Sequence, residues 1–225
     1  MPDSPAPTRR NFSPGCFMLI IGGLWLLLLG GYMVWKLFGQ LKEIRTFADS
    51  APKLVSPAQP AAEQIAALRA RIHEFGAAVG RKEKTSLRLT VDDLNTLLAS
   101  EDAVRSMREN AKVESIGDTL RVQFSQMINT VPFSDEKLYL NGTLELAPVL
   151  EADKGLKLRT VNFTVPGKTV SQGFLDLYKE NSPPDRLLLD PMRESTGTGI
   201  AATLQKITNA RLEPGAAVLE FAPAP

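Results

Sequence analysis

The sequence predicts an α+β chain: one transmembrane helix, followed by an antiparallel sheet with helices packed on one face. Three observations carry this. Residues 16–38, CFMLIIGGLWLLLLGGYMVWKLF, form an apolar run with no charge before Lys36. From Lys112 to Val165 apolar residues alternate with polar ones at a period of two, the pattern of half-buried strands. Residues 61–80 and 90–98 instead repeat their apolar residues every three or four positions, the pattern of amphipathic helices.

Residues 1–15 are Pro-rich and read as a disordered tail. The run at 16–38 is long enough, at ~1.5 Å per residue, to span a ~30 Å hydrocarbon core. A signal peptide's apolar region is shorter and ends at a small-residue cleavage site, which Met33-Val34-Trp35-Lys36 does not offer. Cys16 precedes the run, whereas a lipid-bearing cysteine would follow it. Tyr32 and Trp35 fall where an interfacial aromatic belt would lie, with Lys36 placed to snorkel. Arg9 and Arg10 precede the helix, and Lys36, Lys42, Arg45 and Lys53 follow it, so a literal count favours a cytoplasmic C-terminal side. Long domains translocate largely regardless of charge, however, and a short Arg-Arg tail before an uncleaved run is how bacterial signal anchors begin. The expectation is therefore a single pass through a bacterial inner (cytoplasmic) membrane with an extracytoplasmic domain. Gly22, Gly23, Gly30 and Gly31 share one half of the helix surface but lack GxxxG spacing, a weak signal for self-association.

Residues 39–60 read as a membrane-proximal linker, in which APKLVSPAQP (51–60) carries three prolines that block a continuous helix. Residues 61–225 are expected to form one domain. Ile65, Leu68, Ile72, Phe75 and Val79 make the apolar stripe of a helix leaving at Gly80, packed on the domain or paired with a second copy. In LRLTVDDLNTLLAS (87–100) a strand passes into a helix, with Thr90 and Asp93 as a capping box and Val91, Leu94, Leu97 and Leu98 as its buried stripe. Ser100 is expected to cap a second short helix, with Glu101 and Asp102 in its first turn.

Leu120, Val122 and Phe124 alternate with polar residues after a Gly117-Asp118 turn. Leu138, Leu140, Gly142, Leu144 and Leu146 point one way and Tyr139, Asn141, Thr143 and Glu145 the other. Asn141-Gly142 is ordinarily a hairpin signal, but the alternation keeps its phase across it, so one long strand is expected. EADKG (151–155) supplies the turn. The next strand begins with Leu156 and Leu158 inward and switches to Val161, Phe163 and Val165, which predicts a β-bulge near Arg159–Thr160. Val170, Phe174, Leu177 and Tyr178 share a helical face, ended by Pro183-Pro184. A weaker helix interrupted by Gly197 and Gly199 follows, and a hairpin turning at Glu213-Pro214-Gly215 closes the domain.

Composition excludes several chemistries. Of 26 Lys/Arg and 25 Asp/Glu, five and three precede residue 51, leaving 21 basic and 22 acidic residues in the domain. No basic excess marks a nucleic-acid surface. The chain's one Cys lies at the membrane boundary, and its one His, His73, falls about 120° around the helix from the Ile65–Phe75 stripe. These are too few for a zinc site, and no GxSxG elbow accompanies His73. Asp92-Asp93 and Glu101-Asp102 are explained as partners of helix starts. GKTVSQG lacks P-loop spacing. No catalytic residue, cofactor or metal site is expected.

What remains is the apolar face of the sheet. Leu138, Leu140, Leu144, Leu146, Phe163, Phe174 and Leu177 form either packed core or the lining of a groove between sheet and helices. The order of LRLTVDDLNTLLAS, LYLNGTLELAP, KLRTVNFTVPGKTVSQGFLDLYKEN and QKITNARLEPGAAVLEF, after an anchor, resembles the YpmS-like single-pass bacterial membrane proteins. The resemblance covers roughly residues 85–222 and rests on packing motifs. It implies a similar plan and brings no activity with it. The functional expectation is a membrane-anchored, non-catalytic domain of the cell envelope that binds a protein or an envelope component. The alternative is a domain that binds or transfers lipid.

Overall fold

The computed structural model describes residues 14–53, 55–128, 137–151, 155–181, 189 and 203–223. The chain divides into two compact units, Met1–Ile44 and Arg45–Pro225. The first is a helix, α1, which runs from Pro14 to Phe47 and so ends within the second unit. Its large apolar side chains from Leu24 to Leu29 are exposed all round. Lys36 Nζ lies 5.9 Å above the ring of Tyr32. Among the described residues no helix is long and apolar enough to cross a membrane.

The second unit is α+β. After α2 (Ala62–Gly80) and β1 (Thr85–Thr90) come α3 (Val91–Ser100) and a short 3-10 turn (Asp102–Met107). Then follow β2 (Ala111–Ile116), β3 (Leu120–Ile128), β4 (Leu138–Glu151), β5 (Gly155–Thr164), α4 (Gln172–Asn181), β6 (Asn209–Glu213) and β7 (Ala216–Phe221). The antiparallel strands build two sheets rather than one: a long sheet ordered β2-β3-β4-β5 and a small one ordered β1-β7-β6. The closing hairpin could not be assigned to a sheet from its own alternation, because its partner β1 lies some 125 residues earlier. Backbone pairing from Thr85↔Phe221 to Thr90↔Ala216 joins the domain's two ends.

Local chemistry explains most elements. The α3 capping box forms as expected: Asp93 N–H donates to Thr90 Oγ1 (3.2 Å) and Thr90 N–H to Asp93 Oδ2 (2.9 Å). The next turn differs. Glu101, rather than Ser100, stands at its start, and Glu101 is buried and receives Arg69 Nη2 at 3.2 Å. The α3 stripe also reads differently from the sequence: Leu97 is buried, Val91, Leu94 and Leu98 are half-buried, and Asn95 and Thr96 are buried beside them. Asn95 is buried because β2 is an edge strand. Its Nδ2 donates to Val113 O (2.9 Å) and its Oδ1 accepts from Val113 N (2.8 Å), supplying the pairing a further strand would give.

β4 is one strand of 14 residues that runs through Asn141-Gly142. A methyl at Gly142 would collide with the Thr164 carbonyl oxygen and lie 2.9 Å from Phe163 Cε2, so the glycine makes room for that ring. The phase slip in β5 is a bulge: Glu145 faces Asn162 but Leu146 faces Thr160, leaving Val161 as the extra residue. This corrects one expectation, since Val161 is turned outward (39% exposed) while Thr160 is buried with no hydrogen-bond partner for its hydroxyl. Phe163 and Val165 point inward as read. The body of the 151–155 turn, the Pro183-Pro184 stop, the tail 1–13 and most of the Gly197/Gly199 helix lie outside the described residues.

The core has two parts. One gathers Leu68, Phe75 and Val79 of α2 with Leu87 and Leu89 of β1, Leu97 of α3, and Leu219 and Phe221 of β7. The other lies against the inner face of the long sheet. Gly142→Ala should lower stability by about 1–3 kcal/mol, because the sheet must shift to admit one methyl group. Chemical denaturation followed by circular dichroism checks this, and unchanged stability would mean that Phe163 does not press on this strand.

Candidate functional site

The residues expected to form core or groove belong to β4, β5 and α4. Leu138, Leu140, Leu144 and Leu146 are buried on the inner face of β4, and Phe163 is buried beside them on β5. Phe174 is half-buried on α4. Leu177 belongs to the same helix, but its side chain lies outside the described residues. Phe47, from the last turn of α1 and 0% exposed, fills the space above them. Its ring is 4.7 Å from Phe174, while Phe163 lies 5.5 Å from Tyr178 and 5.4 Å from Phe124. Burial pushes the Tyr178 hydroxyl far above its ordinary ionisation range. Contacts at these spacings make a closed aromatic cluster.

The open space lies elsewhere. A cavity of about 180 Å³ sits between the two sheets. Val113, Leu120, Val122, Pro148, Leu156 and Leu158 line it from the long sheet. Leu89, Ala210, Leu212, Ala217 and Leu219 line it from the small sheet, and α2 and α3 close it with Ile72, Phe75, Leu94, Leu97 and Leu98. Of the expected residues whose side chains are described, Leu138, Leu140, Leu144, Leu146, Phe163 and Phe174, none is among its walls. Its cause can be read from the register. Ala217 pairs with Leu89 and Leu212, and Ala210 with Leu219, so two methyl groups occupy inward positions between leucines.

Among the described residues the lining is apolar apart from Thr203 and Arg211, and no carboxylate or histidine contributes to it. Arg211 is held by Glu213 at 3.1 Å and by Glu220, on the outer side of the small sheet, where Glu213 also pairs with Arg88. His73 is exposed on α2. Two acidic residues at helix starts are paired with arginines, Asp93 with Arg71 (3.0 Å) and Asp102 with Arg108 (3.0 Å). Among the described residues no group of three His, Cys, Asp or Glu side chains could hold a metal ion.

A second arrangement was not foreseen from the sequence. Directly after α1, Asp49 exchanges backbone hydrogen bonds with Tyr139 of β4 (2.9 and 2.8 Å), beyond the Thr143↔Thr164 pair where β5 stops. Its carboxylate accepts from Asn141 Nδ2 at 2.8 Å and from Lys168 Nζ at 2.6 Å. Asn141, 2% exposed, uses its amide fully: Nδ2 also donates to Ala51 O, and Oδ1 accepts from Ser125 Oγ and from Lys53 N. Lys168 further donates to Ala48 O at 2.9 Å. The Val165–Lys168 turn, with Gly167 at φ 72°, brings the lysine back to this point. The signals available in the sequence were Pro166-Gly167 just before a lysine and an asparagine on the polar side of a strand. Nothing in either identifies Asp49 as the partner.

The hydrogen bonds from Asn141 and Lys168 hold the Asp49 carboxyl down at about 2, against an ordinary 3.8, with burial opposing them. The folded-state value lies below the unfolded one. The clamp's contribution is therefore complete above about pH 4 and is lost as the pH falls through 2. Asp49→Asn should cost ~1–2 kcal/mol at neutral pH, partial exposure keeping the loss modest, and should flatten the acid limb of the stability curve. Amide hydrogen exchange at Asp49 and Tyr139 reads the local opening, and protection equal to wild type would show that the carboxylate does not hold this segment.

No protein-family model, curated protein or solved structure matches the chain.

Proposed function

We propose that the chain is a single-pass protein of a bacterial inner membrane. In this reading residues 16–38 cross the bilayer, and the unit from Arg45 onward is a non-catalytic binding module outside the cytoplasm. The observation that carries this is the Asp49 clamp. The segment leaving α1 is bonded into the long sheet through Asp49, Ala51 and Lys53, so it is part of the module's architecture rather than a free tether. The 23-residue apolar run and its exposed side chains support the membrane-crossing role, since an apolar surface on all sides of a helix has no stable place in water. The near-neutral charge of the module argues for a partner other than nucleic acid.

The full-length protein should remain with membranes through high-salt and carbonate washes, and deletion of residues 16–38 should release it. Extraction of the intact chain by salt alone would end the membrane-crossing reading. A reporter active only outside the cytoplasm, fused after Pro225, should be active. Activity of a cytoplasm-only reporter at the same place would reverse the topology.

A further inference from the structure

We infer that the cavity between the two sheets is a binding site for one aliphatic chain, that of a fatty acid or of a lipid's acyl tail. The space is partly open and holds about 180 Å³ between apolar walls, the form of a ligand pocket. An engineered apolar cavity of roughly 150 Å³ stays dry and takes up benzene, so a cavity of this size and lining favours an apolar guest over water. The guest's chemistry follows from the walls. Leucine, valine, isoleucine and alanine side chains predominate, so the buried part of the ligand carries no charge and no hydrogen-bonding group. Among the described residues Phe75 is the one aromatic wall, and stacking between rings therefore does not define the site.

The position of the space is specific. Phe47, Phe124, Phe163 and Tyr178 are buried and are not among the described walls, and the cavity lies where the small sheet presents Ala210 and Ala217. This inference rests on the membrane-anchored reading only for the source of the chain, because a bilayer beside the module supplies acyl groups.

The full-length protein, reconstituted in phosphatidylglycerol nanodiscs, is tested with palmitic acid bearing a diazirine near its methyl end. A parallel arm uses phosphatidylglycerol carrying the same diazirine chain. After irradiation, label is expected on the peptides holding Leu94–Leu98 and Leu212–Leu219, in addition to α1. Label from the free acid alone assigns a fatty acid, and label from the phospholipid assigns a lipid tail. Ala217→Leu, which fills the space, should reduce cavity labelling at least tenfold with α1 labelling and circular dichroism unchanged. If that variant fails to fold, Ala210→Val provides the same reading. Label confined to α1 in both arms, or cavity label undiminished in a folded filled variant, overturns the inference. Cavity label without α1 label would instead overturn the membrane-crossing proposal and leave this one standing.

Discussion

The side-chain amide of Asn141 is the contact on which the arrangement of the long sheet and the segment before it depends. It sits on the polar side of β4, yet it is almost wholly buried, because residues 49–53 lie against it. Each of its four bonding directions is used, on Asp49, Ala51, Lys53 and Ser125. A buried amide left with an unmet donor or acceptor costs about 1–3 kcal/mol, so this position accepts few substitutes. Through Asp49 the same network reaches Lys168 and thereby the turn after β5. One residue next in sequence, Gly142, performs the complementary task on the inner face by admitting the ring of Phe163.

The consequence is a division of labour along a single 14-residue strand. At one end the strand is sealed on both sides, by the clamp outside and by the Phe47–Phe174–Tyr178 aromatic cluster inside. Elsewhere the inner face of the long sheet looks onto leucines and two alanines of the small sheet, and the packing opens into a cavity whose walls include residues on both sides of the register slip, such as Val122 and Leu158.

The two asparagines of the sequence patterns DDLNTLL and YLNG turn out to do related work. Asn95 closes the exposed edge of β2 by pairing with Val113, and Asn141 closes the gap beside β4 that β5 leaves. Both replace missing strand neighbours with a side-chain amide, which carries a donor and an acceptor as a peptide group does. These motifs are therefore packing and pairing devices, which agrees with their lack of catalytic groups.

Local rules sufficed for the elements themselves. The 3.6-residue stripes of 65–79 and 91–98, the Thr90–Asp93 box, the uninterrupted phase across Asn141-Gly142 and the slip in β5 all express forces acting between near neighbours, and each is visible in residue order. So is the apolar run at 16–38, whose length and freedom from charge need no fold to be seen. Tertiary structure alone decided what those elements meet. The pairing of β1 with β7 joins residues more than a hundred positions apart, and no alternation pattern specifies a partner at that range. It also decided that Leu138–Leu146 are sealed by a phenylalanine from the end of α1, that Asp49 and Lys168 form an ion pair, and that the vacant space lies beside Ala210 and Ala217. A cavity is what two facing surfaces fail to fill, and it exists only once both surfaces are in place.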